Sequence, residues 1–581
     1  MGNLFRAIAV DYDGTLTRND RPLPAVLEAL RVARTEGLMQ LLLTGRILAE
    51  LRSDFPEVQE EFDAIVAENG AVLWTARDGE RALAEPVSAE LERAITSLGL
   101  PVRRGRVILA SEARFDNLIQ GEIARLHTEE RLVYNRGALM ILPSGVSKGT
   151  GLNEALGELG ISRHSVVGIG DAENDHSLLE SCELGVAVAN AVPSLQASAD
   201  VVLGEADGDG VVEFLRGPVL RGEIRVRPRR WGVELGHYSD GSPAIVPASQ
   251  VNILIVGGST SGKSTVAGLL VEELLVKGYS ICVLDPEGEH GTLGTLRGVL
   301  VVGGVQVLPS PPQISTLLSH RFGSVVVDLS RLAPPEKRRY THALLAELQG
   351  LRKRVGLPHW IVLDEAPQLL GSGGLPQEGP RAPAERYCLV THRPEDLGSG
   401  LLDEVDVLVV LPGGETFAKG TGFVSPPTAL AEPLTLGEAF YIERGSVGRF
   451  RIGKRRIRHV RHWHKYLLTE LPPHRQFFLR TREGPTGAAI GSIAQFHDEL
   501  ERAPTAVLAH HLGEGDFSRW IAAELKDHAL ATAVRIVEAG WRSGDRTSLE
   551  LYRQQLLTAI EDRYPDGASE PLPFSGPRTA T

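Results

Sequence analysis

The sequence predicts an α/β protein built from two parallel sheets in series, followed by a mainly helical C-terminal part. Three observations carry this expectation. Phe5 to Val10 is a short apolar run ending at Asp11, the signature of a buried strand that brings a carboxylate to the C-terminal edge of a sheet. A second apolar run, Val251-Asn252-Ile253-Leu254-Ile255-Val256, leads into Gly257-Gly258-Ser259-Thr260-Ser261-Gly262-Lys263-Ser264, which fits the spacing of a phosphate-binding P-loop at every fixed position. After each of these starts, apolar runs alternate with helical segments, the pattern of parallel strands covered on both faces.

The elements follow in order. A helix is expected from about Ala25 to Glu36, and the next strand is Met39-Gln40-Leu41-Leu42-Leu43, ending at Thr44-Gly45-Arg46. Strand and helix signals alternate to about Leu215, so residues 1–215 form a first domain with an insert at about 84–142. Residues 216–248 are rich in Arg, Gly and Pro and are expected to form a connector or a small β element. Residues 249–450 hold the second α/β pattern, with strands ending near Asp285, Asp328, Asp364, Thr391 and Val410. Residues 451–565 open with a basic stretch, Arg451 to Lys465, and continue as a helical accessory domain. The Gly/Pro/Ser-rich residues 566–581 are expected to be a disordered tail. No internal repeat stands out.

Bulk properties narrow the function classes. A chain of 581 residues is too long for one core, and three or four domains are expected. With 42% hydrophobic and 23% charged residues, large buried cores are readily supplied. The net charge of -13 argues against a protein that coats nucleic acid through its overall charge, while leaving room for a local basic patch. The three cysteines, Cys182, Cys282 and Cys388, are far apart and form no metal-ligand pair, which favours a reducing cytoplasm. No apolar run approaches the length of a membrane span, so no membrane partner is expected. Met1-Gly2-Asn3 starts like a myristoylation signal, but Arg6 stands where Ser or Thr is required.

Asp11-Tyr12-Asp13-Gly14-Thr15-Leu16 places two aspartates at i and i+2 as the chain leaves a strand. Asp11 can attack phosphorus and form an aspartyl-phosphate. Asp13 can protonate the leaving oxygen and later activate water. These carboxylates would repel each other and a phosphate without a cation between them, so Mg²⁺ is expected. Gly170-Asp171-Ala172-Glu173-Asn174-Asp175 follows the apolar run Val166 to Ile169 and can complete an oxygen-only shell. Asp11, Asp13, Asp171 and Asp175 are therefore the metal candidates. Thr44, Gly45, Lys148 and Asn174 are the candidates for holding phosphoryl oxygens.

These residues resemble the haloacid dehalogenase (HAD) superfamily. Asp11 and Asp13 match its first motif, Thr44 its second, Lys148 its third, and Asp171 with Asp175 its fourth. The run Gly170 to Asp175 and the late position of Lys148 look like the subfamily with an α/β cap between motifs two and three. That subfamily includes Cof-like sugar-phosphate phosphatases and archaeal-type phosphoglycolate phosphatases, and Glu68-Asn69-Gly70-Ala71 is similar to that group too. The short insert leans towards the phosphoglycolate type. The resemblance covers about residues 1–215 and implies a Rossmann-like HAD domain with a small cap, acting on a small phosphorylated metabolite or a nucleic-acid phosphate end.

In the second pattern the glycines, Gly257 and Gly262 among them, let backbone N–H groups wrap phosphates. Lys263 would reach the β- and γ-phosphates of ATP, Ser264 would hold Mg²⁺, and Thr265 completes the nucleotide contacts. His359-Trp360-Ile361-Val362-Leu363-Asp364-Glu365 is an apolar strand ending in two carboxylates. Asp364 fits the metal side of a Walker B element, and Glu365 fits the base that orients the attacking water. Together with Asp285-Pro286-Glu287-Gly288-Glu289, Ser324 to Ser330 and Thr391-His392-Arg393-Pro394, these motifs look like the HerA/FtsK division of RecA-like P-loop ATPases, HerA-like proteins in particular. The resemblance covers about residues 245–415. It departs at His392, where that family usually carries a glutamine that senses the γ-phosphate; imidazole can also donate a hydrogen bond.

The resemblance implies a ring-forming motor, a homo-oligomer in hexameric form, with DNA as a partner. The motif set has no cation for the far side of the γ-phosphate, so an arginine from a neighbouring subunit is expected, with Arg381, Arg386 and Arg393 as candidates. The overall expectation is a cytoplasmic Mg²⁺-dependent phosphomonoester hydrolase fused to an ATP-hydrolysing domain. Two rival readings remain: polynucleotide kinase-phosphatase-like processing of nucleic-acid ends, and a phosphatase gated by an ATP-binding switch. Arg451 to Arg461 could contact phosphates or simply protect a strand edge. His459, His462 and His464 lack the matching ligands that zinc would need. Phe477, Phe478, Phe496, Phe517 and Trp520 are expected to be core residues rather than a ligand platform.

Overall fold

The computed structural model describes residues 5–19, 21–135, 137–321, 323–371, 386–420, 430, 432–443, 446–457, 471, 476–481, 484–525, 527–544 and 548–563. His459, His462, His464, Arg381 and the tail 566–581 lie outside the described residues. The chain has a Rossmann-like α/β N-terminal domain, a second α/β domain after it and a helical C-terminal region. It divides into two compact units. The first holds Met1–Val283, Ser310–Val325 and Pro334–Lys454; the second holds Leu284–Pro309, Val326–Ala333 and the residues from Arg455 onward.

The first sheet of unit one has eight strands, in the order Val201–Val202, Leu184–Ala187, Val166–Gly170, Ala7–Asp11, Met39–Leu43, Ala64–Ala67, Val72–Thr75 and Gly79–Ala82. The first six run parallel, and the last two are antiparallel additions. Ala7–Asp11 is wholly buried, as a central parallel strand with helices on both faces must be. Its neighbour Val166–Gly170 lies in parallel register, Val10 opposite Ile169, so Asp11 and the loop from Asp171 emerge at the same edge. Arg103–Arg104, Leu109–Glu112, Arg131–Asn135 and Ala138–Leu142 form a separate four-stranded antiparallel sheet. With helices Ala89–Ser97 and Asp116–Leu126 it encloses its own small core of Leu91, Ile95, Leu109, Ile119, Ile123 and Ile141. This is the α/β cap.

The second sheet runs, within unit one, in the order Pro243–Val246, Val233–Tyr238, Ser446–Ile452, Glu438–Glu443, Val407–Val410, Ile253–Val256, Tyr387–Thr391 and Trp360–Leu363. The last four strands are parallel, and the first four extend them antiparallel. The hairpin Val233–Val246 is thus an outer part of this sheet, joined to it through Ser446–Ile452. The helix Lys263–Val276 is apolar on nearly every side, LLVEELLV at its end, and is buried accordingly.

Unit two is described by itself. Asp285 accepts the backbone N–H groups of Glu287, Gly288 and His290 at 3.1, 2.8 and 2.7 Å, which folds the Asp285–Glu289 turn on itself. The C-terminal part pairs a hairpin, Phe477–Thr481 with Gly484–Ile490, against helices Ile493–Arg502, Thr505–Glu514, His528–Ser543 and Leu549–Arg563. Phe496, Phe517 and Trp520 are in its core with Leu508 and Leu512, as expected of structural aromatics, while Phe478 is 55% exposed.

The two sheets of unit one meet at a buried polar junction. Glu183, with no exposed side chain, accepts hydrogen bonds from Arg386 Nη2 at 2.6 Å and Tyr279 Oη at 3.1 Å, and faces His164 Nδ1 at 2.8 Å. The His164 and Tyr279 rings stack at 3.7 Å, and Trp231 Nε1 donates to the Glu183 carbonyl at 2.9 Å. Burial opposes the Glu183 charge, but Arg386 and His164 outweigh it and hold the carboxyl below the usual range. Removing one partner of such a pair would cost about 3–5 kcal/mol, because the other charge stays buried and uncompensated. This placement corrects one expectation: Arg386 is consumed inside its own chain and does not reach a neighbour's nucleotide.

His359 lines the same junction. Its Nδ1 accepts the Ser280 backbone N–H at 2.7 Å, so the ring is held neutral. Burial, with His164, Arg386 and Arg352 nearby, pushes its pKa well below the usual 6.5. The unfolded chain therefore binds a proton near that value that the folded chain does not. This stability is complete above the unfolded pKa and is lost as the pH falls from there towards the depressed folded value. Thermal unfolding between about pH 7.5 and pH 5.5 should show stability falling with a slope of up to about 1.4 kcal/mol per pH unit from this group. In His359→Asn, whose amide oxygen can still accept from Ser280, that slope should flatten; an unchanged slope would assign the acid sensitivity elsewhere.

Candidate functional site

Asp11 closes its strand with 1% exposure, and Asp171, Asp175 and Lys148 are fully buried beside it. Lys148 Nζ bonds Asp11 Oδ1 and reaches Asp175 Oδ1 at 2.6 Å. Lys148 is the first residue of the helix Lys148–Leu159, whose N-terminus is fixed by a capping box: Thr150 N–H donates to Ser147 Oγ at 3.2 Å, and Ser147 N–H to Thr150 Oγ1 at 2.9 Å. A cap of this kind contributes about 1 kcal/mol. A cation at a helix N-terminus opposes the helix dipole, so the two carboxylates are what keep the ammonium charged there. Burial alone would lower the lysine pKa; Asp11 and Asp175 reverse this and raise it.

Asp175 is held from two sides, since its Oδ2 accepts the N–H groups of Asp171 and Ala172 at 2.9 and 3.0 Å. Asp171 Oδ1 accepts from Thr15 Oγ1 at 3.1 Å. The remaining Asp11 oxygen, Oδ2, is buried and has no hydrogen-bond partner. Burial, then the charges of Asp175 and Asp171, push the Asp11 pKa well above its ordinary value, with Lys148 opposing. One oxygen each from Asp11, Asp171 and Asp175 lie within 4.8 Å of one another. Three carboxylates against one ammonium leave excess negative charge, and the orphaned Asp11 oxygen points to the same deficit. The donor set therefore fits a hard divalent cation such as Mg²⁺.

The other expected residues surround this group. Thr44 is buried, and its Oγ1 accepts the Arg46 N–H at 3.1 Å. Gly45 lies under the cap, where a Cβ would approach Met140 Sδ to 2.8 Å. Asn174 donates from Nδ2 to Asn69 at 3.1 Å, while its Oδ1 has no partner. Asp13 stands apart from the carboxylate trio, gripped by Arg46 through Nε at 3.0 and 2.9 Å and Nη2 at 2.6 Å. No role was expected for Arg46, although an arginine directly after Thr44-Gly45 was the available signal.

In the second site the loop after Ile253–Val256 winds back through Gly262, at φ +99°, into the Lys263 helix. A Cβ on Gly257 would meet Ser261 Oγ at 2.5 Å, so the turn needs glycine there. Lys263 Nζ donates to the Gly258 carbonyl at 3.0 Å and lies 3.9 Å from Glu365 Oε1. Ser264 and Thr265 follow on the first turn of that helix, half-buried. Asp364 is buried, and its Oδ1 accepts the Glu365 N–H at 3.0 Å. Glu365 takes a left-handed conformation, φ +42°, and its Oε2 lies 2.7 Å from His392 Nδ1. Burial raises the Glu365 pKa, with His392 and Lys263 opposing. The structure thus brings Lys263, Glu365 and His392 together; the contact of His392 is with the carboxylate. Arg393 is exposed nearby in sequence.

A third group, His510, His511 and Asp516, also has ligand atoms within 4.8 Å. His511 Nε2 accepts the Arg480 N–H at 3.1 Å, so its Nδ1 carries the proton towards Asp516 at 2.9 Å. Both ring nitrogens of His511 are thus occupied by structural hydrogen bonds, while His510 Nε2 is buried without a partner. The three cysteines are free and buried, and burial pushes the thiols of Cys182 and Cys282 up to about 12, which leaves them unreactive. Among the described residues no helix is long and apolar enough to cross a membrane.

Comparison with known proteins accords with both geometries. The family of haloacid dehalogenase-like hydrolases matches residues 8–112 and 106–215, and the central domain of helicase HerA matches residues 234–337. A phosphoglycolate phosphatase of Methanothermobacter thermautotrophicus is 35% identical over 218 residues, which is 36% of this chain and 98% of the relative. One from Archaeoglobus fulgidus is 32% identical over 221 residues, 36% of this chain and 96% of the relative. A solved haloacid dehalogenase-like hydrolase from Bacteroides thetaiotaomicron is 20% identical at a TM-score of 0.32, covering 36% of this chain and 98% of its own. The chain belongs to the haloacid dehalogenase-like hydrolases and carries a HerA central domain in the same polypeptide.

Proposed function

We propose that this chain is a bifunctional hydrolase: a Mg²⁺-dependent phosphatase of small anionic phosphomonoesters, phosphoglycolate first among them, fused to an ATP-hydrolysing domain. The observation that carries the phosphatase reading is the buried, partnerless Asp11 Oδ2 beside Lys148, Asp171 and Asp175. This oxygen attacks phosphorus, the ester P–O bond breaks, and the leaving oxygen takes a proton from Asp13. Water then attacks the aspartyl-phosphate, Asp13 accepts its proton, and inorganic phosphate leaves. Lys148 bonds Asp11 and faces the phosphoryl oxygens, with Thr44, Gly45 and Asn174 around them. A divalent cation held by Asp11, Asp171 and Asp175, beside Asp13, supplies positive charge for those oxygens when bound.

Arg46 favours an anionic substrate. It grips both oxygens of Asp13 through Nε and Nη2. Acting as an acid requires that grip to loosen, and a substrate carboxylate is a competing partner for the guanidinium. Met140 of the cap over Gly45 favours a small ester over a nucleic-acid end. Asp11→Asn should abolish Mg²⁺-dependent phosphate release, by more than about 10³-fold, while ATPase activity persists. Substantial turnover in this variant across a phosphate-ester panel would rule out the aspartyl-phosphate route.

In the ATP site, Asp364 and Ser264 are placed for the metal side of the nucleotide, and Glu365 for the attacking water. Lys263, now on the Gly258 carbonyl, has the β/γ-phosphates as its charged partner when ATP binds; Gly257, Gly262 and Thr265 line the same loop. The juxtaposition of Glu365 and His392 favours water activation over phosphorylation of a 5′-hydroxyl end. Lys263→Ala should weaken nucleotide binding, whereas Glu365→Gln should retain bound ATP and slow its hydrolysis by about 10²–10⁴-fold. Wild-type turnover in Glu365→Gln would exclude it as the base and favour a binding switch.

The same site calls for assembly. With Arg386 held in the junction, a cation for the far side of the γ-phosphate is best supplied by a second copy, for which the exposed Arg393 is suited. A cytoplasmic homo-oligomeric ring, hexameric as in HerA-like motors and acting on DNA, is the reading this supports. ATPase activity per chain should rise with protein concentration, and mass photometry should show species far heavier than the 62.8 kDa chain. A strict monomer of undiminished specific activity would exclude the ring.

A further inference from the structure

One tight turn, Glu68-Asn69-Gly70, touches the Thr44–Arg46 loop, Asn174, the start of the Lys148 helix and the cap. Three consecutive residues take left-handed conformations, with φ of +52°, +55° and +105°. For Glu68 and Asn69 that geometry costs roughly 1–2 kcal/mol each and persists only where surrounding contacts impose it. The contacts are on record on all sides. Glu68 N–H donates to the Arg46 carbonyl at 3.0 Å and Asn69 N–H to the Thr44 carbonyl at 2.9 Å, which ties the turn to the Thr44–Arg46 loop. The Asn69 side chain receives Asn174 Nδ2 at 3.1 Å. Gly70 lies directly against the start of the Lys148 helix: a Cβ there would stand 1.9 Å from the Ser147 carbonyl oxygen and 3.1 Å from Lys148 N.

The Glu68 side chain turns the other way, into the cap. It is 1% exposed, and its carboxylate accepts three successive backbone N–H groups: Arg106 at 2.8 Å, Val107 at 2.8 Å and Ile108 at 3.1 Å. These residues lead into the cap strand Leu109–Glu112. Gly105 gives the carboxylate its room, since a Cβ there would lie 2.7 Å from it. A carboxylate taking three main-chain donors makes charge-assisted bonds, roughly twice as strong as neutral ones.

We infer that this turn is the positioning device that seats the cap over the catalytic lysine: Glu68 fixes the segment that leads into the cap strand Leu109–Glu112, and Gly70 fixes the height of Lys148 beneath it. The inference rests on the phosphatase reading above and adds residues with no part in the chemistry itself. Because one rigid turn holds both, the cap and Lys148 cannot shift independently, and the closed geometry that selects the ester is set in the same place as the geometry that binds its phosphate.

The test uses full-length protein in two variants. Glu68→Gln keeps the shape but turns an amide N–H towards the cap donors. It should raise amide hydrogen exchange at residues 106–108. It should also lower kcat/KM for phosphoglycolate on the order of 10- to 100-fold, while p-nitrophenyl phosphate, which needs no cap contact, changes by less than about threefold. Gly70→Ala should depress both esters together, with retained ATPase activity showing that the chain is folded. Equal losses for both esters in Glu68→Gln, or wild-type exchange at 106–108, would overturn the inference. If wild-type protein left phosphoglycolate untouched, the proposed substrate would fall, and the exchange measurement would still decide the role of Glu68.

Discussion

The phosphatase half depends on one buried lysine. Lys148 has no exposed surface and sits at a helix N-terminus, two circumstances that each oppose its charge. Only the Asp11 and Asp175 carboxylates make the ammonium tolerable, and they come from strand ends 137 and 27 residues away in sequence. The fold must therefore bring three distant segments to one point before any of these charges can be buried. That requirement fixes the strand order in which Ala7–Asp11 and Val166–Gly170 are neighbours, and it leaves Asp11 Oδ2 as the one carboxylate oxygen of that strand end without a protein partner. An electrostatic necessity of folding and an unpartnered carboxylate oxygen come from the same arrangement.

A second buried charge joins the two halves. Glu183 immediately precedes the strand Leu184–Ala187, whose neighbour ends at Asp171. Arg386 immediately precedes the strand Tyr387–Thr391, which ends beside His392. Both sites are thus at the far ends of strands rooted in one cluster. Communication through such a joint needs two alternative packings. Glu183 has donors from Arg386, Tyr279 and His164, and a satisfied low-dielectric network of this kind resists rearrangement. The junction is built as a rigid mount rather than a hinge, and it fixes the two sheets of unit one against each other.

What was legible in the sequence follows from locality. The P-loop, Asp11-Tyr12-Asp13 and Asp364-Glu365 are each contiguous, tied to a strand end, and can be read without knowing what lies across the sheet. The two parallel sheets were legible for the same reason, through repeated apolar runs. The antiparallel additions, Val72–Ala82 on one sheet and Val233–Val246 with Glu438–Ile452 on the other, were not, because strand direction depends on turns that return the chain to the same edge. Arg46, and the anchoring roles of Glu68 and Arg386, were not legible, since their partners are Asp13, the backbone of 106–108 and Glu183, the last of them 203 residues away. Glu183 itself left a faint signal, a lone acid between the apolar Cys182 and Leu184.

The histidine at position 392 illustrates what a local departure can mean once its neighbours are known. A glutamine there would present a neutral donor and acceptor on a flexible stem. The imidazole instead meets Glu365 Oε2 at 2.7 Å through one rigid ring. Glu365 needs such a restraint. Its left-handed backbone, φ +42°, is costly for a residue with a side chain and turns the carboxylate back towards Lys263. Lys263 at 3.9 Å and His392 at 2.7 Å then hold its two oxygens from opposite directions. The two contacts restrain different oxygens of the same carboxylate, so loss of either would leave the other in place. The imidazole is thus spent on the Glu365 carboxylate, and the cost of the strained backbone is met within the site rather than by the surrounding fold.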